Sequence, residues 1–144
     1  MGMVMAAGGL ADMLGQVLNN IPVAGTDIVC HLYVTNISLD TLKTPSDFVE
    51  AVGGGYLAKT LTGGSWSIHQ GDAGTIPNAT YTQQEYIFTG PLTTNLVIYG
   101  YYLVNAAGHL LAAETLGAPF TPYNNWDELK ISPRIQFSHG TPIL

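Results

Sequence analysis

Ten carboxylates and four histidines are the residues of this chain with which acid–base or metal chemistry would have to be done. His31, His69, His109 and His139 stand far apart, with neither H-x-H nor H-x-x-x-H spacing and no carboxylate at ligand distance along the chain, so no metal site is expected. Glu114 sits in the apolar stretch "LLAAETL". A carboxyl there could have a raised pKa and serve as a general acid. The alternative is that it accepts hydrogen bonds from a neighbouring loop or pairs with Arg134. No second acid shares such surroundings, as paired-carboxylate chemistry would need, so the alternative is the expectation. Asp127-Glu128, after Asn124-Asn125, reads as a solvated turn without the D-x-D-x-D-G pattern of a calcium loop. No G-x-S-x-G elbow is present. "VGGGY" and "GGSW" lack a following Lys-Ser/Thr and read as turns, not phosphate loops. Asn36-Ile37-Ser38 and Asn78-Ala79-Thr80 match the glycosylation acceptor pattern, which is common by chance. The residues therefore predict no catalytic group, no cofactor and no metal: this is expected not to be an enzyme.

Charge narrows the partners. The net charge is −6, and only Lys43, Lys59, Lys130 and Arg134 are positive. Four scattered cations make no stripe for a duplex or an anionic bilayer, so neither nucleic acid nor membrane is expected as a partner. No apolar run reaches the roughly 18 residues of a spanning helix. Cys30 is the single cysteine, which excludes internal disulfides, and its apolar setting suits a small core residue. The start, "MGMVMAAGG", predicts no secretory signal. Ala6 stands where a myristoylation motif wants Ser or Thr.

The elements that must position these groups follow from periodicity. Leu10 to Asn20 is the one helix, its stripe Leu10, Met13, Leu14, Val17 and Leu18 spaced i, i+3, i+4, i+7, i+8 and its end marked by Asn19-Asn20 and Pro22. The Met-, Ala- and Gly-rich residues before it read as a flexible arm, mobile until docked. Residues 1–26 thus form arm and helix, and 27–144 a single β-domain. In it "DIVCHLYV" reads as a central strand, apolar on both faces. "YLAKTL", "SWSIHQ", "TYTQQEYIFTG" and the hairpin "NLVIYGYYLVNAAGHLLAAETL" follow, with Trp66 and Ile68 sharing a side of their strand. "GAPFTPYNNWDE" reads as a turn-rich loop. "LKISPRIQF" closes the set, with Leu129, Ile131, Ile135 and Phe137 on one face, and Pro133 marks an edge or a bulge. About seven short strands between Gly/Pro/Asn turns predict an all-β, antiparallel sandwich, jelly-roll-like.

The hairpin strand poses a physical problem. Strict alternation puts Leu96, Ile98, Tyr102 and Val104 on one side and Val97, Tyr99, Tyr101 and Leu103 on the other, so both faces are apolar. Charged residues are only 10% of the chain, against about 25% in an average soluble protein. Trp66, Trp126 and eight tyrosines could stack on sugars, could simply be strand residues with a wet tip, or could supply rigid contact area between subunits. Low charge favours the last. The predicted interface is therefore Leu10, Met13, Leu14, Val17 and Leu18 on the helix with Val97, Tyr99, Tyr101 and Leu103 on the strand.

A resemblance points the same way. The helix ending "VLNN", the segment "DIVCHLYVTNISLDTLKTPSDFVEAVGGGYLAKTLTGGSWSI", then "FTGP", "VIYGYYLVNAAGHLLAAE" and "ELKISPRIQF" come in an order that resembles the small virion structural proteins of tailed bacteriophages. It spans about Leu10 to Phe137. The resemblance implies a jelly-roll capsid decoration or cement protein, a homotrimer that binds the major capsid protein, made in the bacterial cytoplasm and carried on the virion. A tail, head–tail adaptor or head-fibre component is the near alternative. A carbohydrate-binding β-sandwich is the alternative from another class.

Overall fold

The computed structural model describes residues 3–19, 27–69 and 78–136. Phe137, His139, Pro22 and most of the "QGDAGTIPNA" loop lie outside the described residues. The chain begins with a short strand β1 (Val4–Met5) and the helix α1 (Ala7–Asn19). The strands that follow are β2 (Ile28–Tyr33), β3 (Lys59–Leu61), β4 (Ser67–His69), β5 (Asn78–Thr80), β6 (Gln84–Ile87), β7 (Ile98–Val104), β8 (Leu110–Phe120), β9 (Glu128–Ile131) and β10 (Arg134–Gln136). All pairings are antiparallel.

Among the described residues three sheets result, ordered β1-β8-β7-β2-β3, β10-β5-β4 and β6-β9. The first is the scaffold. On its inner face Cys30, Leu32, Tyr101, Leu103 and Ala112 meet Tyr86, Phe88 and Ile131 from the smaller sheets and their flanks, with Trp66, Tyr81 and Ile135 packed against them. This is an antiparallel β-sandwich, with its core between the layers. The expectation that β2 is interior holds: it pairs with β7 on one side and β3 on the other.

Five local features depart from the periodic reading. The arm before the helix is not loose: Val4 and Met5 pair with Ala113 and Ala112, and Met3 and Ala6 are buried. Strand β8 continues through the "GAPF" read as loop, because Phe120 pairs with Ile98. Between Gly100↔Thr115 and Ile98↔Phe120, two residues of β7 match five of β8, a bulge that breaks the alternation. Ile98 consequently joins Tyr101 and Leu103 in the inner cluster, while Tyr99 joins Tyr102 and Val104 on the other face. Finally, Pro133 does more than mark an edge. The chain changes sheets there, β9 pairing with β6 and β10 with β5, and Pro133 is buried at the switch. On β4, Ile68 points to solvent while Trp66 packs on Tyr81, so the two do not share an environment.

Gly100 shows why one position tolerates no side chain. A Cβ there would clash with the Glu114 carbonyl and lie 2.5 Å from the Tyr33 hydroxyl. Tyr33, its cross-strand partner, lies over that gap and hydrogen-bonds Thr115 Oγ1 at 3.1 Å.

Candidate functional site

The outer face of the scaffold sheet is closed by the chain itself. After β2 the backbone loops out and returns along its end, Val34 N donating to Val49 O and Ala51 N to Leu32 O. This carries Phe48 onto the sheet. Its ring stacks on Tyr102 at 4.6 Å between centroids, Tyr102 stacks on His31 at 4.9 Å, and Tyr33 meets Phe48 edge-on. Ile37 and Leu39 of the same loop pack against this cluster. Glu50 pins the loop: its Oε1 lies 2.7 Å from His31 Nδ1 and accepts from the Tyr56 hydroxyl at 2.9 Å.

Helix α1 lies on the edge of the same sheet, along β8. A Cβ on Gly9 would lie 2.5 Å from the Leu111 Cα, so that glycine sets how closely the helix approaches. Asp12 locks it, its Oδ2 lying 2.7 Å from both Asn105 Nδ2 and His109 Nδ1 in the β7–β8 turn. The His109 hydrogen bond, with that of Asn105 second, holds the Asp12 carboxyl below the usual aspartate range. These two histidine–carboxylate pairs join residues 19 and 97 positions apart, and no sequence spacing announces them.

The predicted interface residues fall into three groups. Tyr101 and Leu103 are buried, at 2% and 0% exposure, so the reading that a partner covers them is corrected: their own second layer covers them. Val97 and Tyr99 are half-buried, as are Leu10 and Met13, and Met13 packs against the inner cluster. Leu14 and Leu18, one turn apart, are open, Leu18 at 72%. Val17 lies in α1, and its side chain is outside the described ones.

A concavity of about 400 Å³ opens where the bulge of β8 meets the β9–β10 switch. Glu114 and Arg134 line it with Tyr101, Leu116, Lys130 and Ile131. Arg134 donates from Nη2 at 2.6 Å and from Nε at 3.2 Å to Glu114 Oε2, and the Tyr101 hydroxyl donates to Oε1 at 3.1 Å. Burial first, and the Glu114 charge second, push the Tyr101 phenol up, so it stays a donor. The pairing of Glu114 with Arg134 is thus the arrangement present, and both carboxylate oxygens are already engaged. Lys130 Nζ stands 3.6 Å from Glu128 and 3.8 Å from Glu85. This geometry suits holding a group that offers an N–H donor and an apolar face. Among the described residues no cluster of three or more His, Cys, Asp or Glu could hold a metal ion, and no helix is long and apolar enough to cross a membrane.

The turn expected at Asn124-Asn125 and Asp127-Glu128 is present, with an unexpected residue at its third position. Residues 124–127 form a turn closed by Asp127 N donating to Asn124 O at 3.2 Å. The Asp127 Oδ2 accepts from the Tyr123 and Asn124 amides at 2.7 and 2.9 Å, which holds its carboxyl below the usual range. Trp126 occupies the third turn position with φ +75°, the one non-glycine residue at positive φ among the described residues. A left-handed backbone costs a side-chain-bearing residue about 1–2 kcal/mol and usually falls to glycine or asparagine. Yet this indole is 75% exposed and Tyr123 beside it is open too. The only sequence signal is "NNWDE" itself: a turn composition with tryptophan where glycine belongs.

No protein-family model, curated protein or solved structure matches this chain.

Proposed function

We propose that this protein is a structural component of a tailed-phage virion, a capsid decoration or cement protein that self-associates and binds the major capsid protein. The sequence resemblance supplies the class. The observation that supports it best is the open flank of α1. The helix is already docked through Gly9, Met13 and Asp12, yet Leu14 and Leu18 still face solvent at i, i+4 spacing, on a chain with 10% charged residues. Two leucines so placed form a short apolar ridge suited to a groove in a protein partner. They replace Tyr101 and Leu103 as the expected contact. Specific contacts of this kind bury roughly 1,200–2,000 Å². Repeated over many copies, modest contacts add through avidity to strengthen a shell.

The test is head binding. Purified protein is mixed with heads assembled from the major capsid protein of the same phage, and bound copies are counted after sedimentation. Leu14→Glu with Leu18→Glu should abolish binding while leaving the circular dichroism spectrum unchanged. Wild-type protein that fails to sediment with heads would end the reading.

A further inference from the structure

Trp126 stands just before β9, and the concavity at Glu114 is lined by the far end of that strand. At one end a turn locked by Asp127, and tied to the end of β6 by Trp126 N donating to Phe88 O and Phe88 N to Asp127 O, both at 2.8 Å, presents an exposed indole from a backbone conformation that favours glycine. At the other end lies a hole of about 400 Å³, within the roughly 300–1,000 Å³ range of sites that enclose a ligand-sized group. Its walls match an indole. Leu116, Ile131 and the Tyr101 ring are apolar, Glu114 Oε1 takes a single hydrogen bond from Tyr101 and keeps a lone pair for an N–H, and Lys130 and Arg134 supply cations of the kind that favour the face of a tryptophan ring. Trp126 is near its own pocket along the chain yet exposed, so the indole does not fill the pocket from within.

We infer that Trp126 of one copy inserts into the Glu114–Arg134–Ile131 pocket of a second copy, a head-to-tail contact through which the chain self-associates. This deepens the assembly reading above and rests on it for its biological setting. The interface is heterologous, each copy giving a knob and receiving one, so it closes a ring if the rotation permits. An exposed tryptophan on a rigid turn is the kind of anchor that dominates such contacts, with low ordering cost because the turn is fixed before binding.

Two variants separate knob from hole. Trp126→Gly removes the indole at a backbone position glycine prefers. Gly117→Phe fills the hole, since Gly117 lines it and a Cβ there meets nothing within 4 Å. Light scattering and sedimentation should show wild-type protein associating and each variant alone weakened by about 30-fold or more, the effect of losing a hot-spot anchor. Trp126→Gly should melt no lower than dilute wild type. A 1:1 mixture of the two variants retains one intact knob and one intact hole and should form a dimer and nothing larger. Variants that associate as wild type does would overturn this contact while leaving self-assembly and head binding standing. A wild-type chain still monomeric at about 100 µM would overturn the contact too, since even weak specific pairs associate by then. So would indole emission that shifts with chitohexaose or dextran but not with protein concentration, which would make the turn a glycan platform. Head binding, measured separately with the Leu14 and Leu18 variants, reports on the broader reading alone.

Discussion

The two faces of the scaffold sheet both carry apolar side chains and are closed by different means. The inner face meets other strands, and Cys30, Leu32 and Leu103 there have no exposure at all. The outer face meets a loop, whose Phe48 completes a stack with Tyr102 and His31 and whose Glu50 is tethered to His31 and Tyr56. A sheet-on-sheet layer is stabilised by area; a loop cover is stabilised by a few rings and a polar pin. Apolar residues on both faces of β7 therefore do not by themselves imply a partner molecule. The apolar residues that do reach solvent sit elsewhere, among them Leu14, Leu18, Leu42, Leu57, Ile68 and Trp126.

A cavity on the inner face should have the largest effect. Leu103→Ala should cost about 2–5 kcal/mol, read as a lowered denaturation midpoint, because no loop can shift to fill a hole between two layers. A loss under about 1 kcal/mol would mean that the second layer does not seal this face. The outer face should yield in a different way. Glu50→Gln should cost about 1–2 kcal/mol, the value of a charge-assisted hydrogen bond and its neighbour. Its effect should be local: hydrogen exchange accelerates over residues 35–50 while β2 and β7 keep their protection. Uniform acceleration would place the loop inside the same cooperative unit as the core.

Helix α1 offers a pH test. The folded-state value of Asp12 is depressed, so its contribution is present above the ordinary aspartate value of 3.8 and is lost as pH falls through the lower folded value. Exchange of the α1 amides should therefore rise below about pH 4 in wild type, and Asp12→Asn should show the faster rate already at neutral pH. A wild-type helix indifferent to pH over that range would detach His109 from the account. The smallest expected signal is a null. Burial pushes the Cys30 thiol up to about 12, so iodoacetamide should leave it unmodified in the native protein at pH 8 and label it fully in guanidinium. Native labelling would mean that the inner face opens as readily as the outer one.

Legibility followed the range of the physics. The pattern "DIVCHLYV" carries its burial on both faces, so β2 could be read as interior. Asn105 and Gly108 mark the hairpin turn that Gly108 N to Asn105 O closes at 3.0 Å. Arg134 as the partner of Glu114 could be anticipated, since four cations leave few choices for a carboxylate among apolar neighbours. Tyr101 and Leu103 were misread because alternation says that a face is apolar and not what covers it. The bulge that moves Ile98 to the side of Tyr101 and Leu103 has no compositional mark, and neither does the strand that runs on through "GAPF".

The order of residues alone determined the class of the fold: period-two patterning, glycine and proline punctuation and one helical stripe leave little besides an antiparallel sandwich with a short helix. These are local properties, fixed by backbone geometry within a few residues. Tertiary structure alone decided which apolar face was already satisfied, which histidine met which carboxylate, and that a tryptophan would be held open on a left-handed turn above a strand that ends in a pocket. Those outcomes depend on contacts between segments tens of residues apart, whose free energies are set only once the chain has chosen its layers.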